Sequence, residues 1–121
     1  MLSLSPTLRI FLCLTAVDLR KSFDGLSALV TQALASDPLS GYWFVFRNKS
    51  GDRLKILTWE EDGWATFYKR LERGCFRFPA IADEGPPRVE IRASDLALLL
   101  DGIVFERVKR QKRYHRPATA R

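Results

Sequence analysis

Phe23, Leu26, Leu29, Val30, Ala33 and Leu34 recur at spacings of three and four residues, which puts them on one face of an α-helix. The spacing predicts a helix over residues 22–35, with Asp18 or Ser22 as cap and an acid in its first turn. The Ser-Asp-Pro run at 36–38 ends it, because the residue before a proline is pushed out of the α region. Gly25 costs such a helix about 1 kcal/mol relative to alanine, a cost that a close backbone approach by another element offsets. Residues 9–17 (RIFLCLTAV) are apolar without helical spacing and read as a buried strand.

Beyond residue 41 the period shortens. Residues 42–47, 53–59 and 64–71 are aromatic and β-branched segments separated by NKSGD and EEDG, which carry hairpin-turn residues. An antiparallel three-stranded meander is predicted, extended or closed by FRFP. Residues 82–87 form a loop and 88–92 a short strand. SDLALLLDG, residues 94–102, makes a short helix between a Ser94 cap and a Gly102 stop.

The class expected is therefore α+β: a meander packed against one amphipathic helix and a short C-terminal helix, followed by a basic tail. With both hairpins closed symmetrically, Tyr42, Phe44, Phe46, Leu54, Ile56, Phe67 and Leu71 share one face and bury the helices. Trp43, Val45, Arg47, Arg53, Lys55, Leu57, Trp59, Trp64, Tyr68 and Arg70 share the other. Bases interleaved with aromatics on a sheet suit single-stranded nucleic acid, held by stacking and phosphate contacts. The same pattern also arises if the aromatics pack beneath another element, and a slip of one residue would exchange the faces.

Charge adds a second partition. The chain of 121 residues has a formal net charge of +6. Residues 106–121 hold seven Lys/Arg and one acid, so the remaining 105 residues balance at thirteen of each sign. Residues 1–106 are expected to form one domain and 107–121 a basic, detached tail. Such a balance favours a polyanionic partner. Cys13 and Cys75 are too few for a disulfide framework and read as buried free thiols in a reducing compartment, and with one histidine, His115, no structural zinc site is expected. No cofactor is implied. The run at 9–17 falls short of the ~20 residues of a membrane helix, and no cleavage-site residues follow it, so a cytoplasmic location without membrane attachment is expected.

Four blocks, DLRKSFDGL, DPLSGYWFVFRNKSGDRLKILTWEEDGW, KRLERGCFRFP and LALLLDGI, carry a resemblance in order and spacing to the TnpB accessory-protein family of insertion sequences of the sixty-six type. That family is unrelated to the RNA-guided nucleases sharing its name. The resemblance covers about residues 8–105 and departs in the first block, where AVDLRK replaces the usual TDMRK. It implies a role in DNA transposition beside a separate transposase and the element's other accessory protein, without implying a molecular mechanism.

Candidate contacts follow from both lines. Asp18, Asp24 and Asp52 could surround a metal, yet Arg20 and Lys21 beside the first pair would more simply form ion pairs, so no metal site and no catalytic residue is expected. The DLRKSFDGL segment reads as a helix start packing Gly25 against the sheet, with Arg20 and Lys21 free to meet phosphates or a partner. Lys69, Arg70 and Arg73 in KRLERG, with Arg47, Arg53 and Lys55, are candidate phosphate contacts. Trp43, Trp59, Trp64 and Tyr68 are candidates for stacking or partner contact. Lys109, Arg110, Lys112 and Arg113 in the tail would add sequence-independent affinity. The function expected is a DNA-binding accessory factor that helps assemble the transposition complex. The alternative is a protein-interaction adaptor for the transposase that does not touch DNA.

Overall fold

The computed structural model describes residues 7–80 and 85–101. Seven elements follow in order: β1 (Ile10–Cys13), α1 (Phe23–Gln32), β2 (Trp43–Arg47), β3 (Arg53–Trp59), β4 (Trp64–Arg70), β5 (Arg88–Ile91) and α2 (Ala93–Leu100). They build one five-stranded mixed sheet in the order β4-β3-β2-β1-β5. The meander β2-β3-β4 is antiparallel throughout, β1 runs parallel to β2, and β5 closes antiparallel on β1. The α+β class and both helices stand as expected, with a β1-α1-β2 crossover added. A parallel pair cannot be joined by a tight turn, and α1 supplies the long connection it needs.

The helices cover opposite faces of the sheet. On one face Phe11, Cys13, Phe44, Phe46 and Leu57 pack with Leu26, Val30 and Leu34 from α1 and its C-terminal extension. On the other, Ile10, Leu12, Trp43, Val45, Leu54 and Ile56 pack with Leu96 and Leu99 of α2, and Phe76 joins them. The central strands β1 and β2 are thus buried on both sides, as IFLC and WFVF imply.

This corrects the faces expected for the meander. The β3–β4 register is as expected, with Trp59 opposite Trp64. The β2–β3 register is displaced by one residue, with Phe44 opposite Leu57 and Phe46 opposite Lys55. The cause is the loop. Asn48 still pairs with Arg53 through its backbone N–H, 3.2 Å, and its side-chain oxygen accepts the Arg53 N–H at 3.0 Å. Residues 49–52 alone make the turn, with Gly51 in the left-handed region at φ 79°. A loop of even length pairs an odd position with an even one, so Leu54, Ile56 and Phe67 face α2 rather than α1. Phe67 is only half-buried, on the edge strand.

Smaller corrections concern the helix ends. Ser22 occupies the N-cap of α1 without a side-chain cap bond. The atoms nearest to a Cβ on Gly25 would be those of the Lys21 side chain, from 3.1 Å, so this glycine is not packed against the sheet. For α2 the N-cap is Arg92, whose backbone N–H donates to Asp95 Oδ2 at 3.1 Å. Cys13 is buried and Cys75 half-buried, both free. Among the described residues no helix is long and apolar enough to cross a membrane.

Candidate functional site

Because β1 and β2 are parallel, the chain leaves both at the same end of the sheet. A hydrogen bond from the Val17 N–H to the Arg47 carbonyl, 2.9 Å, holds the segment after β1 beside the end of β2. The segment 16–20 and the hairpin loop 48–50 therefore become two walls of a cleft. Arg53 and Tyr68, at the near ends of β3 and β4, supply the third, and the volume of this open cleft is about 830 Å³. The cleft thus lies beyond the carboxyl ends of the one parallel pair, β1 and β2, in an otherwise antiparallel sheet.

The walls differ in character. Ala16, Val17 and Leu19 are apolar, whereas Arg20, Lys49 and Arg53 bring cations. Tyr68 stands 49% exposed, its hydroxyl accepting from Arg53 Nη1 at 3.1 Å. Lys55 Nζ lies 5.2 Å from the centroid of the same ring and donates to the Lys21 carbonyl at 3.2 Å. Arg53 pairs directly with Arg70 across the strands, an arrangement of like charges that is unfavourable by itself.

Counter-charge is scarce around these groups. Arg20 is paired with Asp18 at 2.9 Å and Arg70 with Glu72 at 3.1 Å. Among the described residues no carboxylate comes within ion-pairing distance of Lys21, Lys49, Arg53 or Lys55. The acids nearby, Asp18 and Asp52, hydrogen-bond to other groups, although their charge also acts on Lys21 and Arg53. Asp18 accepts the guanidinium and backbone N–H of Arg20, which hold its carboxyl down at about 2. Asp52 accepts from Asn48 Nδ2 at 2.8 Å and Ser50 Oγ at 2.9 Å, and these bonds lower its pKa. Asp18, Asp24 and Asp52 do not converge: the described residues contain no group of three or more His, Cys, Asp or Glu placed to hold a metal.

The fold thus brings together Arg20, Lys21, Arg53, Lys55, Tyr68 and Arg70 from the candidate residues. It separates the rest. Trp43 is buried in the core on the α2 face. Trp59 and Trp64 pack edge-on, centroids 5.0 Å apart, at the far end of the β3–β4 hairpin, about 20 Å from Arg53 at the usual rise per strand residue. Arg47 donates to the Leu14 carbonyl at 3.1 Å and lies over the Phe78 ring. Lys69 donates to the Leu100 carbonyl at 2.7 Å, where a cation meets the negative end of α2. Arg73 is exposed in the segment after β4. Lys109, Arg110, Lys112 and Arg113 lie outside the described residues. Lys49 is the member of the cleft that the sequence reading passed over. Its loop reads locally as a turn, and only the pairing of β1 with β2 sets it against residues 16–20.

The family model described as "IS66 Orf2 like protein" matches residues 8–110. Two similar proteins come from Sinorhizobium fredii: the uncharacterized protein y4jC, 39% identical over 92% of each chain, and the uncharacterized protein y4hO, 36% identical over 85% of this chain and 87% of its own. No solved structure matches this chain.

Proposed function

The chain belongs to the IS66 Orf2 like family, accessory proteins of insertion sequences, and from that premise we propose that it serves transposition by binding DNA and helping to assemble the complex with a separate transposase. The observation that carries this reading is the surplus of cations around one cleft: Lys21, Lys49, Arg53 and Lys55 have no carboxylate partner among the described residues. Unpaired bases gathered on one surface attract a polyanion, and each phosphate they neutralise releases counterions. Arg53, opposed to Arg70 across two strands and without an ion-pair partner of its own among the described residues, gains from an anion beside it. The protein contributes position and charge, and the strand-transfer chemistry stays with the transposase.

The test is the salt dependence of binding to element-end DNA. Changing Arg53, Lys55 and Arg70 together to glutamine should weaken binding and flatten the plot of log affinity against log salt by about one unit per lost contact on duplex DNA. Folding should survive, since Arg53 and Arg70 are exposed, Lys55 is half-buried outside the core, and polar substitutions at such positions change stability little; a thermal melt checks this. If the folded variant bound DNA with unchanged affinity and slope, the adaptor reading would take over, and capture of the transposase by the same variant would become the measurement of interest.

A further inference from the structure

Resting on the DNA-binding reading, we infer that the cleft at the carboxyl ends of β1 and β2 takes one unstacked nucleotide of a DNA strand, its base lying on Tyr68 and its phosphate on Arg53. The two kinds of wall carry this step. Exposed Ala16 and half-buried Val17 give the cleft an apolar side that a bare phosphate does not use, and Lys49 and Arg53 give it charge that an apolar ligand does not use, while Arg20 is paired with Asp18. A nucleotide combines a flat aromatic base with a charged phosphate and uses both. The volume, about 830 Å³, lies within the ~300–1,000 Å³ of ordinary ligand pockets.

Tyr68 is the second argument. Only Phe23, Leu39 and Tyr68 among the described large hydrophobic residues are exposed, and Tyr68 alone of these lines the cleft. Its ring is held by its neighbours: Arg53 donates to the hydroxyl at 3.1 Å and Lys55 Nζ lies over one face, 5.2 Å from the centroid, so a base would use the other face. A half-exposed ring held at its hydroxyl and over one face by two cations can receive a base on its remaining face, with the attached anion near those cations, and it loses little freedom on binding. Base-on-aromatic contact with flanking phosphate contacts is how single strands are held. Bases inside a duplex keep their faces within the stack and cannot reach such a ring. The occupant is therefore a base of a single-stranded, gapped or unpaired segment.

The test compares three fluorescent oligodeoxynucleotides of equal length by anisotropy: a single strand, the same strand without bases (abasic), and the duplex. The wild-type protein should prefer the single strand to the abasic strand by about tenfold, the worth of one stacked base. Tyr68→Ala should bring the ratio of single-strand to abasic affinity close to one, whatever uniform change on all three probes follows from releasing Arg53 from its bond to the hydroxyl. Tyr68→Phe keeps the ring but not the hydroxyl and should retain the preference. A deoxynucleoside monophosphate should compete only weakly, because the strand's other phosphate contacts are missing. Equal wild-type binding of the normal and abasic strands, or an equal loss on all three probes in a folded Tyr68→Ala, would overturn the nucleotide pocket while leaving DNA binding intact. Strong competition by the mononucleotide would replace the strand with a free nucleotide as the occupant. If none of the probes bound in a salt-dependent way, both readings would fall together.

Discussion

Asp18 does two jobs with one carboxylate. It takes the backbone N–H of Arg20 at 3.0 Å, which shapes the turn before α1, and it neutralises the Arg20 guanidinium beside the cleft. Because Arg20 stabilises the charged form, the carboxyl titrates at about 2 in the folded chain instead of the ordinary 3.8. A group depressed in this way contributes stability that is fully present above its unfolded value and is lost as pH falls through the folded one. Asp52 and Glu90 are lowered too, by bonds from Asn48 and Ser50 and by the Arg9 guanidinium respectively, and act with the same sign. Denaturant midpoints should therefore hold steady at neutral pH and fall between about pH 4.5 and 2. Asp18→Asn should be less stable than wild type above about pH 4, with the gap closing as pH approaches 2. A constant gap across a pH series of urea melts would show that the carboxylate's charge adds nothing. At this scale the sequence was informative about residue type, since an ion pair between Asp18 and its basic neighbours was the simpler reading of that segment.

The elements were legible because their periods are clear, and the register between them was not. In β2 the four residues Trp43, Phe44, Val45 and Phe46 are all buried, since one helix covers each face. A strand sandwiched in this way reads as a continuous apolar run, so alternation, the signal that distinguishes the faces, is absent where it was needed. β3 begins with clean alternation, Arg53 and Lys55 outward against Leu54 and Ile56, and then buries Leu57 and Thr58 in succession. The hairpin loop alone decided the pairing. Mutations should report the resulting faces. Phe46→Ala, at 0% exposure beneath α1, should cost about 3–5 kcal/mol, the usual range for a buried phenylalanine. Phe67→Ala should cost clearly less, because Phe67 is half-buried on an edge strand and packs only from the side against the α2-facing core. Comparable losses for the two in urea denaturation would argue for the opposite register.

At the scale of the whole molecule, the order strand–helix–strand at the start of the chain was the overlooked signal. It favours a parallel pair, with a crevice where both strands end, and that crevice is where Lys49 meets Arg20 and Arg53. Charge organisation follows a different logic from the fold. Residues 1–105 sum to zero, and the whole excess of +6 lies in residues 106–121, most of which fall outside the family match. We propose a division of labour in which the cleft recognises a DNA feature at short range and a basic arm, residues 107–121, adds attraction that ignores sequence. Removal of the arm should leave a cooperative melt, because its residues show no apolar periodicity and so no face to bury. It should also lower affinity by a similar factor for element-end and unrelated DNA, and reduce the salt slope by up to about six units if all seven bases meet phosphates. The ratio of single-strand to abasic binding should not move, since the proposed base contact is made by Tyr68 and not by the arm. A truncated chain that lost its cooperative melt would make the arm part of the fold, and one that lost affinity only for element ends would make it a reader of sequence.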